Sequence, residues 1–169
     1  ERGEPYEVLG IRKDGSRVPI MILGEPSQLN GRPASVGTVI DMSEQRKAER
    51  ELKLAARVFE TSHESILLTD AEANIVSVNP GFVGMTGYRA DEVIGKNPRV
   101  LSSGKHPPDF FVAMWQAIAS ADKWQGELWN RRKNGEIFPV WLTISVYRDA
   151  DGNVRNYVGV ATDIFERIA

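Results

Sequence analysis

The chain of 169 residues has no cysteine and only two histidines, His63 and His106. Without a thiol, disulfides, thiolate nucleophiles, thiolate metal sites and cysteinyl photoadducts are excluded. A zinc site built on two isolated imidazoles would need carboxylates gathered by chance, so no metal centre is expected. No serine stands in a Gly-x-Ser-x-Gly turn, and neither histidine has a signposted partner, which leaves hydrolytic and transfer chemistry without support. A net charge of −2 supplies no long-range attraction to nucleic acid or an anionic membrane. No apolar run approaches the roughly 20 residues of a spanning helix; no signal peptide is read at the start, but that start says nothing about targeting of the parent protein, and a cytoplasmic setting is the expectation. With 41% apolar and 26% charged residues, the composition is that of a soluble globule of one or two domains.

What the chain does have is a repeat. Arg12-Lys13-Asp14-Gly15 is followed by Val18-Pro19-Ile20 and later by Val36-Gly37-Thr38-Val39-Ile40-Asp41. Arg132-Lys133-Asn134-Gly135 is followed by Phe138-Pro139-Val140 and later by Val158-Gly159-Val160-Ala161-Thr162-Asp163. The offset is 120 residues at the arginines and 122 at the final aspartates, the mark of a tandem module of which one copy is represented by its tail.

Residues 5–13 and 17–25 read as strands around Lys13-Asp14-Gly15, Leu29-Asn30-Gly31-Arg32 as a second turn, and 35–41 as a third strand. Such a sheet has no helix of its own to cover it. From Ser43, expected as an N-cap, the period changes to that of a helix. Ala48, Leu52, Ala55 and Phe59 recur at coiled-coil spacing. Either an amphipathic surface helix or a linker that pairs with its twin in a homodimer fits that pattern.

Beyond it, Ser65 to Asp70 and Ile75 to Asn79 read as strands, and Asn79-Pro80 as the cap and first position of a short helix ending at Gly87. One or two single-turn helices fill 90–101, and Asp109 to Ala121 is amphipathic with a stripe of Phe110, Phe111, Met114, Trp115 and Ile118. Strands at 124–132, 136–148 and 154–164 follow. The fold class is therefore α+β: a five-stranded antiparallel sheet with short helices on one face, over about 110 residues. A sheet half-covered by short helices leaves a cavity in which small molecules bind.

Asn79-Pro80-Gly81-Phe82, Thr86-Gly87-Tyr88, Glu92 to Pro98, Trp124-Gln125-Gly126-Glu127, Asn130 to Gly135 and the closing Val158 to Ile164 together resemble a PAS domain. On this resemblance residues 1–42 correspond to the last three strands of a preceding PAS domain, 43–60 to a helical linker and 61–166 to a complete PAS domain. It implies a sensory and dimerising module of a bacterial signalling protein, joined in the same polypeptide to an output domain such as a histidine kinase or a cyclic-di-GMP cyclase or phosphodiesterase. No output motif stands in these residues, so the fragment is not expected to be an enzyme. The paired acids Asp149 and Asp151 lie in a Gly-containing turn that Asp residues commonly build.

The resemblance also bears on the ligand. Haem-binding PAS domains use a His on the helical side, whereas His63 and His106 read as solvated polar residues. Light-sensing PAS domains of the LOV group carry a Cys where this chain has Pro98, and amides where it has Val140 and Ala161. The redox-sensing group that holds FAD is similar to this chain at Met114-Trp115, Trp124-x-Gly126 and Asn130 to Lys133. That resemblance implies FAD, with Trp115 packing on the ring, Asn130 hydrogen-bonding its polar edge, and Asn97 and Arg99 completing the contacting set; Lys105 would join Arg99 at the pyrophosphate. Each residue also has a plainer reading, as core, strand partner or solvated charge. A cofactor-free module that only joins subunits is the competing expectation.

Overall fold

The structure is a computed structural model and describes residues 3–165; the outermost residues of the expected modules, 1–2 and 166, lie outside that range. The chain divides into two compact units, Glu1–Ala56 and Arg57–Ala169, each with its own antiparallel sheet.

In the first unit β1 (Tyr6–Ile11), β2 (Arg17–Leu29) and β3 (Arg32–Asp41) form a sheet in that order. Asp14 makes the first turn by accepting hydrogen bonds from the Ser16 amide and hydroxyl, with Gly15 at φ 84°. Asn30 and Gly31 take φ 53° and 75°, the left-handed pair that a two-residue hairpin requires. Pairing therefore runs to Leu29↔Arg32, well beyond the strand ends read from the sequence, because the tight turn keeps the two arms in register. The helix α1 (Ser43–Thr61) follows. Ser43 is not its cap. It lies within the first turn, and the Asp41 carboxylate accepts from the Ser43 amide at 2.9 Å. An acid two residues earlier satisfies the orphan donor instead.

In the second unit the strand order is β5-β4-β8-β7-β6, with β4 (Ser65–Thr69), β5 (Ile75–Val78), β6 (Lys123–Arg131), β7 (Ile137–Arg148) and β8 (Val154–Asp163). Between β5 and β6 come α2 (Pro80–Thr86), α3 (Ala90–Val93), a 3-10 turn at Pro98–Leu101 and α4 (Pro108–Ala121). Alternation along each strand sends one set of side chains inward, and the register aligns Leu128 with Val140 and Leu142 with Ala161. Phe138, Val140, Leu128 and Ala161 form one core cluster, and Ile75, Phe82, Val93 and Leu101 another. Burying a side chain of that size contributes about 1.5–3 kcal/mol.

The helical half is fastened to the sheet by Asn79, which is fully buried. Its Oδ1 accepts from the Phe82 amide (2.9 Å) and the Ile66 amide (2.8 Å). Its Nδ2 donates to the carbonyls of Glu64 (2.9 Å) and Phe59 (3.1 Å). One amide thus uses its whole hydrogen-bonding capacity to cap α2, extend β4 and hold the C-terminal turns of α1. Gly81 follows because a Cβ there would stand 2.2 Å from the Glu64 carbonyl oxygen and 2.8 Å from that of Ser62.

The sequence repeat is also a repeat of contacts. Arg12 pairs with Asp41 and Arg132 with Asp163. The Met42 amide donates to Pro19 O and the Ile164 amide to Pro139 O. Tyr6↔Ile22 and Ile22↔Val39 in the first sheet correspond to Gly126↔Leu142 and Leu142↔Ala161 in the second.

Candidate functional site

Between the inner face of the five-stranded sheet and α2, α4 and the 3-10 turn lies a cavity of about 590 Å³, within the range of small-molecule sites. Its floor is low because small residues occupy it: Gly159 and Ala161 on β8 border the space. A Cβ on Gly159 would meet only Leu142 Cδ1 at 3.7 Å and the Leu67 carbonyl at 4.0 Å. Gly126 serves a different end. A Cβ there would stand 2.9 Å from Trp124 Cζ2, so the Trp-x-Gly spacing lets the indole lie back over its own strand. The remaining wall is mostly apolar, from Leu67, Phe82, Met114, Leu128, Leu142 and Ile144.

All four residues expected at a flavin border this cavity. Asn130 is half-buried on β6. Its main chain forms a bridge with Ser102, and its side-chain amide makes no hydrogen bond among the described residues. Asn97 is committed to structure through Oδ1, which accepts from the Arg99 amide at 3.0 Å and caps the 3-10 turn. Arg99 is exposed at the edge of the space. Trp115 stands at the rim: the residue is 40% exposed and its ring meets Tyr157 edge-on, centroids 5.2 Å apart. Met114 and Ile118 form the buried face of α4, and Trp115, about 100° round the helix from Met114, falls at the edge of that face rather than in the core.

Two residues stand elsewhere than expected. Lys105 does not border the cavity; its Nζ lies 3.9 Å from the centroid of Trp129, a cation–π contact. His106 is half-buried rather than solvated throughout. Its ring stacks on Phe110 at 4.1 Å and meets Phe111 at 5.9 Å, and Nε2 accepts from the Trp129 amide at 2.9 Å. With Ser102 bridged to Asn130 and Arg131 Nη2 donating to the Ser103 carbonyl at 2.9 Å, the segment 102–106 lines the free edge of β6. A proline-flanked His carries no periodic signal of such a long-range partner.

Ser65, which the sequence reading took only as a strand residue, also borders the cavity. At the opposite end the turn after Thr69 is set by Asp70, whose carboxylate accepts from the amides of Asn74 (2.8 Å) and Glu72 (3.0 Å). These bonds, Asn74's amide foremost, hold the Asp70 carboxyl below its ordinary value.

A PAS-domain family model matches residues 1–44 and 63–166. The nitrogen fixation regulatory protein of Klebsiella oxytoca is 35% identical over 100 residues, covering 59% of this chain and 20% of that protein. A blue-light-activated histidine kinase of Brucella ovis is 37% identical over 90 residues, 53% of this chain and 18% of the kinase. The chain thus spans about a fifth of the length of these relatives. Among solved structures, a PAS domain from Colwellia psychrerythraea superposes with a TM-score of 0.65 at 23% identity, over 69% of this chain and 99% of that one. The light-state structure of the blue-light photoreceptor Aureochrome1 LOV gives 0.56 at 31% identity, over 62% and 84%. By the family match, the internal repeat and the five-stranded sheet with its helical cover, the chain belongs to the PAS-domain family.

Proposed function

We propose that residues 61–166 form a sensory PAS domain that holds a non-covalent flavin, FAD, in the cavity and relays its state through the linker helix to an output domain of the same polypeptide. On this reading residues 1–42 are the C-terminal strands of a preceding PAS domain, and 43–60 the linker through which two cytoplasmic chains associate. The observation that carries it is the half-buried Asn130 side-chain amide, without a hydrogen bond among the described residues, on the wall of a largely apolar space of about 590 Å³. That donor set suits a flat heteroaromatic ligand: apolar surface for its faces and one amide that donates and accepts at a polar edge. Two relatives carry blue-light names, which supports a flavin without distinguishing FAD from FMN.

Each residue then has a part. Asn130 orients the polar edge, Trp115 and Tyr157 flank the open side, and Arg99 offers a guanidinium to a phosphate at the rim. Asn97 holds the 3-10 turn beneath Arg99. A bound flavin supplies a redox-active ring whose edge differs in protonation between oxidised and reduced forms. Asn130, whose amide can present either its oxygen or its NH2, would answer such a difference by reversing the end that faces inward, and the strand β6, bridged to Ser102 at this residue, would carry the disturbance. The coupling is bounded by the difference in interaction energy between the two forms, typically ~1–3 kcal/mol. For the linker, none of the 19 residues of α1 is buried, and Leu52 is 73% exposed, which leaves its seam open to a twin helix.

The test is an absorption spectrum of the purified chain with mass spectrometry of released small molecules, repeated after refolding with FAD and with FMN. Flavin absorbance at one equivalent per chain is the expected result, weakened in Asn130→Leu. Protein that stays colourless after both refolding steps overturns the flavin and leaves a cofactor-free module that joins subunits. No helix among the described residues is long and apolar enough to cross a membrane.

A further inference from the structure

We propose that the Ser65 hydroxyl is a second hydrogen-bonding anchor for the cavity ligand and the point at which its binding is felt by α1. The inference rests on the reading of the cavity as a ligand site. Ser65 is 5% exposed, borders the cavity, and makes no side-chain hydrogen bond among the described residues. No fully buried side-chain polar atom among the described residues lacks a partner, so the Ser65 hydroxyl keeps access to the open space, where a ligand atom can meet it. The side chains next to it across the sheet, Ala161 and then Leu142, carry no polar group.

The position is also mechanically connected. The carbonyl of Glu64 and the amide of Ile66, on either side of Ser65, are both held by the Asn79 side chain. The same Asn79 Nδ2 donates to the Phe59 carbonyl in α1. A ligand acceptor that draws the Ser65 hydroxyl therefore loads the two peptide units whose bonds Asn79 shares with the helix. In the sheet order β4 lies three strands from β6, so Ser65 and Asn130 address different parts of one ligand. The chemical class is a planar heteroaromatic molecule with hydrogen-bonding atoms at more than one edge.

The experiment titrates the 169-residue chain and its Ser65→Ala and Ser65→Thr variants with FAD and FMN, with circular dichroism to establish folding. Hydrogen–deuterium exchange is followed at residues 59–66 with and without flavin. Ser65→Ala is expected to bind about tenfold more weakly and to lose the flavin-dependent change in exchange; Ser65→Thr, which keeps the hydroxyl, restores both. Unchanged affinity and exchange in Ser65→Ala overturn this inference alone. So does a Ser65→Thr as weak as Ser65→Ala, since the loss would then belong to packing. A wild-type chain that takes up neither flavin overturns the flavin reading and this inference with it.

Discussion

Replacing Asn79 by Ala removes the fastening between the helical half and the sheet. Four hydrogen bonds are lost together: those to the amides of Ile66 and Phe82 and those to the carbonyls of Glu64 and Phe59. The Phe82 amide keeps the Asn79 main-chain oxygen at 3.1 Å, so three groups lose the partner that Asn79 supplied. At a net contribution of about 1 kcal/mol each, with the capping loss of about 1 kcal/mol added, the cost is about 4 kcal/mol. That is a large part of the ~5–15 kcal/mol that holds a domain folded and lowers its melting temperature by on the order of 20 °C. The assay is clean because all four tryptophans, at 115, 124, 129 and 141, belong to the second unit. Urea unfolding followed by tryptophan fluorescence reports that unit without interference from the first. Asn79→Asp keeps the two acceptor bonds but turns an oxygen toward the Glu64 and Phe59 carbonyls, and is expected to be as damaging at neutral pH. A loss below about 1 kcal/mol in Asn79→Ala would refute the reasoning, since a single hydrogen bond contributes that much.

Gly81→Ala drives a Cβ against the Glu64 and Ser62 carbonyls and is expected to prevent folding of the second unit, seen as loss of its cooperative fluorescence transition. Asp70, held below its ordinary value by the Asn74 and Glu72 amides, contributes stability that is present above the unfolded carboxylate value of about 3.9 and is lost as pH falls through the lower folded value. Asp70→Asn is therefore expected to flatten the acid limb of the stability profile below about pH 4, and an unchanged limb counts against these bonds. If two chains pair through α1 as proposed, Leu52→Glu is expected to lower the mass seen by light scattering to that of a monomer at unchanged helicity; a variant that still associates like the wild type would remove α1 from the interface.

Much of the architecture is legible in the residues because it is local. Asn30-Gly31, Asn79-Pro80 and Gly87 announce a turn, a cap and a stop by backbone preference alone, and α4 begins and ends within a residue of its apolar pattern. What was not legible depends on partners distant in the chain. The Asn79 amide reaches 20 residues back to Phe59, and the His106 ring meets an amide 23 residues ahead; neither separation leaves a periodic trace. Ser65 reads as one more strand residue because alternation tells which face it occupies and not whether that face is packed or hollow. Trp115 shows the same limit from the helix side, since a stripe does not say where its edge lies.

The doubled register of Arg12–Asp41 and Arg132–Asp163 has a consequence for how the chain reaches its native form. The two sheets share one register, so the wrong sheet offers α2 to α4 an equivalent set of strands during folding. Tandem units of this kind misassemble by exchanging equivalent parts. What opposes the wrong match is side-chain size: Tyr6 stands where the true wall has Gly126, and Val39 where it has Ala161. Val39 would fill the space that Ala161 leaves on the cavity wall, so the small residue that makes room for a ligand also distinguishes the sheet to which these helices belong.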